Sequence, residues 1–259
     1  MQIYPVHPSL QLYVNSIEAH TTLSIEPYRV FPSLYPALGY QYEGELAVMD
    51  SLKGIHKLKK IGMTGLLLNS RDFQALSPNT KTILVKLYPW GIPKLFRESA
   101  HTLCNASIGL SEILDETFLH SLEEKIAYSR SPNEIVHKIQ DFLLKQYSLN
   151  EDFEPKRIIS IANTLSRQPH LIKISEIGAH YGYSQRTLER HFLNCVGITP
   201  KKFIISARFQ QALESLKTAA SWTELAQNLS YYDQSHFIKE FKQLTGMTPN
   251  QFLDKETTQ

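Results

Sequence analysis

Cysteine is nearly missing from this sequence: Cys104 and Cys195 are the two in 259 residues. Two thiols so far apart exclude a disulfide framework and a cysteine-ligated metal site, and a reducing cytoplasm is the simplest home. Long apolar runs are missing as well. No stretch approaches the roughly 18 residues that span a bilayer, so no membrane partner is expected. The start, Met1-Gln2-Ile3-Tyr4-Pro5-Val6-His7-Pro8, has neither the basic residues nor the apolar run of a secretory signal. In the first half, His7, His20, His56, His101, His120 and His137 are scattered without His-x-His or His-x-x-x-His spacing, so no metal is expected. There is no Gly-x-Ser-x-Gly elbow, phosphate loop or dinucleotide fingerprint either. The chain therefore reads as a non-enzyme without a cofactor or catalytic residue.

What is present is ordinary in bulk and uneven in detail. Apolar residues make up 42% and charged residues 20%, values normal for globular proteins, and the length suits two domains. The net charge of +2 hides an asymmetry. Residues 1–155 hold 14 Lys/Arg against 17 Asp/Glu, a net of −3, whereas residues 156–259 hold 13 against 8, a net of +5. A basic half points toward nucleic acid, although a solvated basic face gives the same count.

Residues 1–115 read as strands and turns. Prolines within Val30–Tyr42 argue for edges or bends, and Thr82–Tyr88 reads as a buried strand closed by Pro89-Trp90-Gly91. The run Leu66-Leu67-Leu68-Asn69-Ser70 suggests another strand. Proline and glycine recur at the rhythm of a small sandwich or barrel. Beyond Ser111 the apolar spacing turns helical through Leu114, Phe118, Leu119, Leu122 and Ile126. Ser131-Pro132-Asn133-Glu134 then predicts a capped helix carrying Ile135, Ile139, Phe142, Leu143 and Gln146 on one face. The acidic stretch Asn150–Pro155 is the expected linker. It separates residues 1–150 (strands to 115, helices over 116–150) from an all-helical domain over 156–259.

The last hundred residues contain an internal repeat. Glu176 recurs as Glu224 at an offset of 48; Phe192, Gly197, Thr199, Pro200 and Phe203 recur as Phe241, Gly246, Thr248, Pro249 and Phe252 at 49. One extra residue in the second turn accounts for the change. Each copy has the grammar of a helix-turn-helix. A short helix starts at Ser175 or Thr223, a turn follows, and a second helix is capped by Ser184 or Asp233. That second helix buries Leu188 and Phe192, or Phe237 and Phe241, and stops at Gly197 or Gly246.

These paired copies, with both Gly-x-Thr-Pro-x-x-Phe endings and the intervening Ala207–Leu216, resemble the C-terminal module of AraC/XylS-type bacterial transcription regulators over roughly Lys156 to Leu253. The resemblance implies two helix-turn-helix units joined by a long helix, here with Ile204, Ile205, Phe209, Ala212, Leu213 and Leu216 as its apolar face. Ser230 departs from the usual turn glycine, and Gly178 from the usual alanine. Val85–Phe96 is similar to a strand-Pro-x-Gly-x-x-x-Leu-Phe signature in the N-terminal domain of some such regulators, implying a regulatory domain of cupin-like barrel shape. The expected architecture is thus α+β in two domains, a β-rich barrel-like half with helices followed by an all-α half.

The function so implied is a cytoplasmic, sequence-specific transcription regulator, an activator, whose partners are double-stranded promoter or operator DNA and RNA polymerase. As the regulatory domain that the resemblance implies, the N-terminal half would take a small-molecule effector; nine of the 13 Tyr and six of the 12 Phe lie in residues 1–155, where they serve a core more often than a pocket. Carried over by position, the DNA-binding residues are Ser184, Gln185, Arg186, Thr187, Glu189 and Arg190 in the first copy. In the second they are Asp233, Gln234, Ser235, His236, Ile238 and Lys239. The rival reading is an enzyme or carrier whose helical half serves protein–protein contacts. The stripes through Leu119–Ile126 and Ile135–Leu143 are covered within the chain, or form the seam of a weak homodimer that charges at Ile139 and Phe142 would weaken.

Overall fold

The structure is a computed structural model that describes residues 1–50, 54–150, 153, 155–169, 173–216 and 221–257. Ten strands form two antiparallel sheets among the described residues: β1 (Gln2–Tyr4), β2 (Val14–Thr22), β3 (Tyr28–Val30), β4 (Ala37–Glu43), β5 (Leu46–Asp50), β6 (Gly54–Lys57), β7 (Ile61–Thr64), β8 (Arg71–Ala75), β9 (Thr80–Leu87) and β10 (Ser107–Gly109). One sheet runs β1-β2-β9-β4-β7-β10 and the other β3-β8-β5-β6. Neither closes, so the expected barrel is two facing open sheets.

The period-2 alternation of strands sorts the larger sheet into two faces. Leu38, Tyr40, Ile83, Val85 and Leu87 are buried on one side, in a cluster that includes helical residues. Ala37, Gly39, Gln41, Thr82, Leu84 and Lys86 point the other way, toward the second sheet. The prolines expected to mark edges or bends, Pro32 and Pro36, fall in the connection between edge strand β3 and central strand β4. The strand anticipated at 66–70 lies instead at β7, just upstream; only Leu67 makes an isolated bridge, to Ser33. Between β7 and this run the Leu103 backbone passes so close to Gly65 that a Cβ there would sit 1.8 Å from its carbonyl oxygen.

Helix α1 (Gly91–Phe96) follows the Pro89 signature and is buried throughout, Lys94 included. The Lys94 Nζ donates to the Asn150 carbonyl at 2.6 Å and lies 4.4 Å from the Tyr147 ring centroid. A buried ammonium needs such partners, and here it ties the signature to the end of α3. Helix α2 (Glu116–Ala127) is capped by Asp115, and α3 (Pro132–Leu149) by Ser131. Glu134 completes the α3 box on the Arg130 amide rather than the Ser131 amide. Both apolar stripes are covered by the chain itself: Phe142 packs with Phe96 and Phe118, and Ile135, Ile139 and Leu143 are buried. Each such side chain contributes about 1.5–3 kcal/mol. The stripe therefore offers no seam to a second copy, and a charge at Ile139 or Phe142 would disrupt this fold. Of the expected linker, Glu151, Asp152 and Glu154 lie outside the described residues.

The helical half contains α4 (Lys156–Arg167), α5 (Ile174–His180), α6 (Gln185–Val196), α7 (Pro200–Ser215), α8 (Trp222–Asn228), α9 (Gln234–Thr245) and α10 (Pro249–Thr257). The short helices begin earlier than the sequence suggested. Lys173 precedes α5 without a side-chain cap, and Ser221 rather than Thr223 caps α8. Helix α7 serves two cores in succession. Phe203 and Ala207 belong to a continuous cluster that also holds Leu188, Phe192, α3 and the larger sheet, while Phe209, Ala212 and Leu216 join a second cluster with Leu225, Phe237 and Phe241. Of its expected apolar face, Ile204 and Leu213 are half-buried against these two clusters, while Ile205 is half-buried and belongs to neither.

Candidate nucleic-acid interface

In each repeat the second helix is set by a cap at its start and a left-handed glycine at its end. The Ser184 Oγ accepts from the Thr187 amide at 3.3 Å, and Asp233 Oδ1 from the His236 amide at 2.7 Å. Gly197 (φ 94°) and Gly246 (φ 80°) end α6 and α9. Between these stops, Leu188 and Phe192 are fully buried, as are Phe237 and Phe241. The opposite faces are accordingly left to water.

The proposed contact residues fall on those open faces with one exception. Ser184, Gln185, Arg186 and Arg190 are exposed, and Thr187 and Glu189 half-exposed. Arg186 and Arg190 stand four residues apart, one above the other on α6. Gln185 donates to Glu189 at 3.0 Å. In the second unit Asp233, Ser235, His236 and Lys239 are exposed, and Gln234 accepts from Thr223 at 2.9 Å. Ile238 is half-buried and packs on the second core. Exposed guanidinium, amide, hydroxyl and imidazole groups on adjacent turns of a helix can meet phosphates and base edges in a major groove.

Behind α9, Tyr231 donates to Glu240 at 2.5 Å, and Arg208 of α7 reaches Glu240 at 3.4 Å while lying over the Tyr231 ring. Burial, then the bond to Glu240, holds the Tyr231 hydroxyl well above the ordinary tyrosine range. Burial pushes the Cys195 thiol up to about 11, and that of Cys104 upward as well, so neither is primed as a nucleophile.

The other ends of α6 and α9 rest on the N-terminal half, which sequence reasoning missed. The Asn194 carbonyl accepts from the Ala100 amide at 3.0 Å, and His101 Nδ1 lies 3.0 Å from the Gly197 carbonyl. On α9, the Leu244 carbonyl accepts from the Ser70 amide at 3.1 Å and from its hydroxyl at 2.7 Å. Arg29, fixed by two bonds to Asp72, donates to the Thr245 carbonyl at 3.4 Å. The last carbonyls of a helix lack partners within it, and the N-terminal half supplies donors to both. These contacts join residues roughly a hundred or more apart in sequence, so no local pattern announces them.

Between the two sheets lies a cavity of about 820 Å³. Small residues open it: Ala37, Gly39 and Gly62 line its wall, with Gly39 paired to Gly62 across β4 and β7. Phe31, Phe73 and Leu84 supply apolar surface. At its edge, His20 and Lys86 both reach Glu18, at 2.8 and 2.9 Å. Burial pushes the Glu18 carboxyl up, but bonds from Ser16, Lys86 and His20 outweigh it and hold the group below the usual carboxylate range.

Residues 177–255 match a family model described as a helix-turn-helix domain. This part of the chain is an AraC-type helix-turn-helix domain. Relatives of this domain are named as HTH-type transcriptional regulators. The uncharacterized HTH-type transcriptional regulator YidL of Escherichia coli (strain K12) is 37% identical over 87 residues, covering 33% of this chain and 29% of YidL. YkgA of the same strain, another HTH-type transcriptional regulator by name, is 30% identical over 88 residues, covering 34% of this chain and 37% of YkgA. The chain thus aligns with well under half of either relative. Its similarity to solved structures extends further. ToxT from Vibrio cholerae aligns over 92% of this chain and 97% of its own, with a TM-score of 0.51 at 14% identity. A second ToxT structure, bound to (E)-4-(8-methylnaphthalen-1-yl)but-3-enoic acid, aligns over the same shares with a TM-score of 0.50 at 13% identity. This establishes a common fold in which a β-rich region precedes the AraC-type domain.

Proposed function

We propose that this protein is a sequence-specific DNA-binding transcription regulator, acting as an activator in the cytoplasm. The observation that carries this reading is the duplicated unit, with α6 and α9 each presenting an exposed polar face beyond a buried apolar pair, Leu188 and Phe192 or Phe237 and Phe241. One chain then offers two helices to successive major-groove faces about 34 Å apart. Its site is an asymmetric element of about two helical turns, read mainly by Arg186, Glu189 and Arg190 in the first unit and by Gln234, Ser235, His236 and Lys239 in the second. Ser184, Thr187 and Asp233 place the backbone there, and Ile238 contributes from the margin of the core. Selection of bound fragments from random duplex DNA, followed by footprinting, tests this: a footprint confined to one turn, or no sequence preference at moderate salt, overturns it.

The cavity between the sheets is the site for a small, largely apolar effector, a reading supported by the acid bound to ToxT. Strand β3 gives such a ligand a route to DNA. Tyr28 and Val30 line the cavity, while Arg29 between them holds the end of α9. Phe31 touches both the cavity and Phe252, its ring 5.0 Å from that of Phe252. A ligand shifts the second unit by as much as its affinity differs between the two arrangements. Titration of the naphthyl-butenoic acid into the full chain should quench Trp90 or Trp222 emission or change the DNA affinity, and Gly39→Leu should abolish the response. RNA polymerase contact and a weak homodimer, through a surface other than the covered α2–α3 stripe, complete the proposal; sedimentation of the full chain with and without operator DNA tests the dimer.

A further inference from the structure

The one-residue difference between the repeats has a structural address. The Tyr183 amide bonds the Gly178 carbonyl at 2.8 Å, and the Tyr231 amide bonds the Ala226 carbonyl at the same distance, so these tyrosines are equivalent at an offset of 48. The caps Ser184 and Asp233 are equivalent at 49. The inserted residue is therefore Tyr232. Its neighbours are fixed on both sides, Tyr231 by burial and its bond to Glu240, Asp233 by capping α9. Tyr232 itself is 94% exposed, the most exposed of the large hydrophobic residues described. It stands at the end of α9 opposite the one held by Ser70 and Arg29, about 18 Å away for a helix of 12 residues. A short, anchored turn thus holds an exposed phenol one residue before the cap of α9, the helix whose first turn exposes Ser235 and His236.

We infer that Tyr232 is a DNA-backbone contact of the second unit, its hydroxyl donating to a phosphate at the edge of the groove that α9 enters. This rests on the regulator reading above. The first residues of a recognition helix address base edges, so a residue just before the cap meets the sugar-phosphate ridge beside them. Tyrosine suits that ridge, since its hydroxyl donates while its ring covers the sugar, at little cost in side-chain freedom. The first unit has no residue at this point. It relies on two arginines, whereas the less basic second unit gains a neutral anchor.

The test uses the full chain and a duplex selected by it. Sequence-selective binding by the wild type comes first, and its absence overturns the regulator reading itself. Given that binding, Tyr232→Phe should weaken it about three- to tenfold on specific and unrelated sequences alike, the scale of one hydrogen bond. Tyr232→Ala should weaken it at least as much, with the melting temperature of both variants unchanged. Tyr128→Ala, removing a tyrosine 83% exposed in the other half, should change nothing. Replacing phosphates one at a time by methylphosphonate should reveal a position that weakens the wild type and leaves Tyr232→Phe unaffected. Binding equal to wild type in both variants overturns the inference, as does the absence of any such phosphate. A changed base preference in Tyr232→Ala overturns the backbone assignment.

Discussion

The two helix-turn-helix units share a sequence pattern and differ in how they are attached. The first unit belongs to the same buried cluster as α3 and the larger sheet, and the backbone at Gly197 runs directly against that at Ala100. The second has its own cluster and, among the described residues, meets the N-terminal half through Arg29, Ser70 and an aromatic edge at Phe31. Polar bonds at a partly exposed seam contribute about 0.5–1.5 kcal/mol each, far less than a shared apolar core. Repetition of sequence therefore did not produce repetition of role: one unit is a fixture, the other is held by contacts that a modest free energy can undo.

The sharpest way to break this contrast is to empty each core. Phe192→Ala should cost about 3–5 kcal/mol and destabilise the N-terminal half together with the first unit. Phe241→Ala should cost a similar amount, yet raise hydrogen exchange mainly across residues 209–252. Loss of protection over the whole chain in both variants would refute separate attachment. Next come the two glycine stops. A Cβ at Gly197 would lie 2.7 Å from the Ala100 carbonyl oxygen, a backbone atom, whereas one at Gly246 would meet only the tip of the Arg29 side chain, at 3.0 Å. Gly197→Ala should therefore cost about 2 kcal/mol or more, and Gly246→Ala about 1 kcal/mol from its positive φ alone. Equal losses in thermal melts would show the two docking seams to be alike. On DNA, Arg186→Ala should cost about 1–3 kcal/mol with blurred preference at one position, and Gln234→Ala less. A uniform loss across sequences would assign Arg186 to phosphate. The smallest effect concerns the turns. Ser230 adopts φ 55° where Gly182 adopts 74° in the first unit. Ser230→Gly should stabilise the second unit by up to about 1 kcal/mol in denaturant melts, and a destabilisation would contradict the strain argument.

Much of this was legible from residue spacing. Ser131-Pro132, Ser184, Asp233, Gly197 and Gly246 announce helix limits because capping and left-handed stops are decided within a few residues. The apolar pairs at i and i+4, Leu188 with Phe192 and Phe237 with Phe241, identified the buried sides of α6 and α9, and hence the sides left open. Strand placement failed at 66–70, because an apolar run carries no mark that a distant backbone, here Leu103, will press on its glycine. The early starts of α5 and α8 were missed because Ser175 and Thr223 suit a cap equally well in isolation. Ile238 shows the remaining limit: position in a repeat gave it a place among the contact residues, while its packing depended on how α7 closes over α9. The cavity was invisible for a related reason, since it is made by the facing of two sheets and by side chains that are not there.

That last point has a consequence for how ligand preference could change over time. Gly39 and Gly62 face each other on the cavity wall, but only one has room to grow. A Cβ at Gly39 would make ordinary contact with Leu84 at 3.4 Å, whereas one at Gly62 would be driven to 2.8 Å from the Ile108 carbonyl oxygen. Of this glycine pair, Gly39 is thus the adjustable stop on that wall. Stepping Gly39 through Ala, Val and Leu would shorten the accommodated molecule by successive methyl widths while leaving the strand register untouched, so selectivity for size can drift by point substitution without the fold having to be rebuilt.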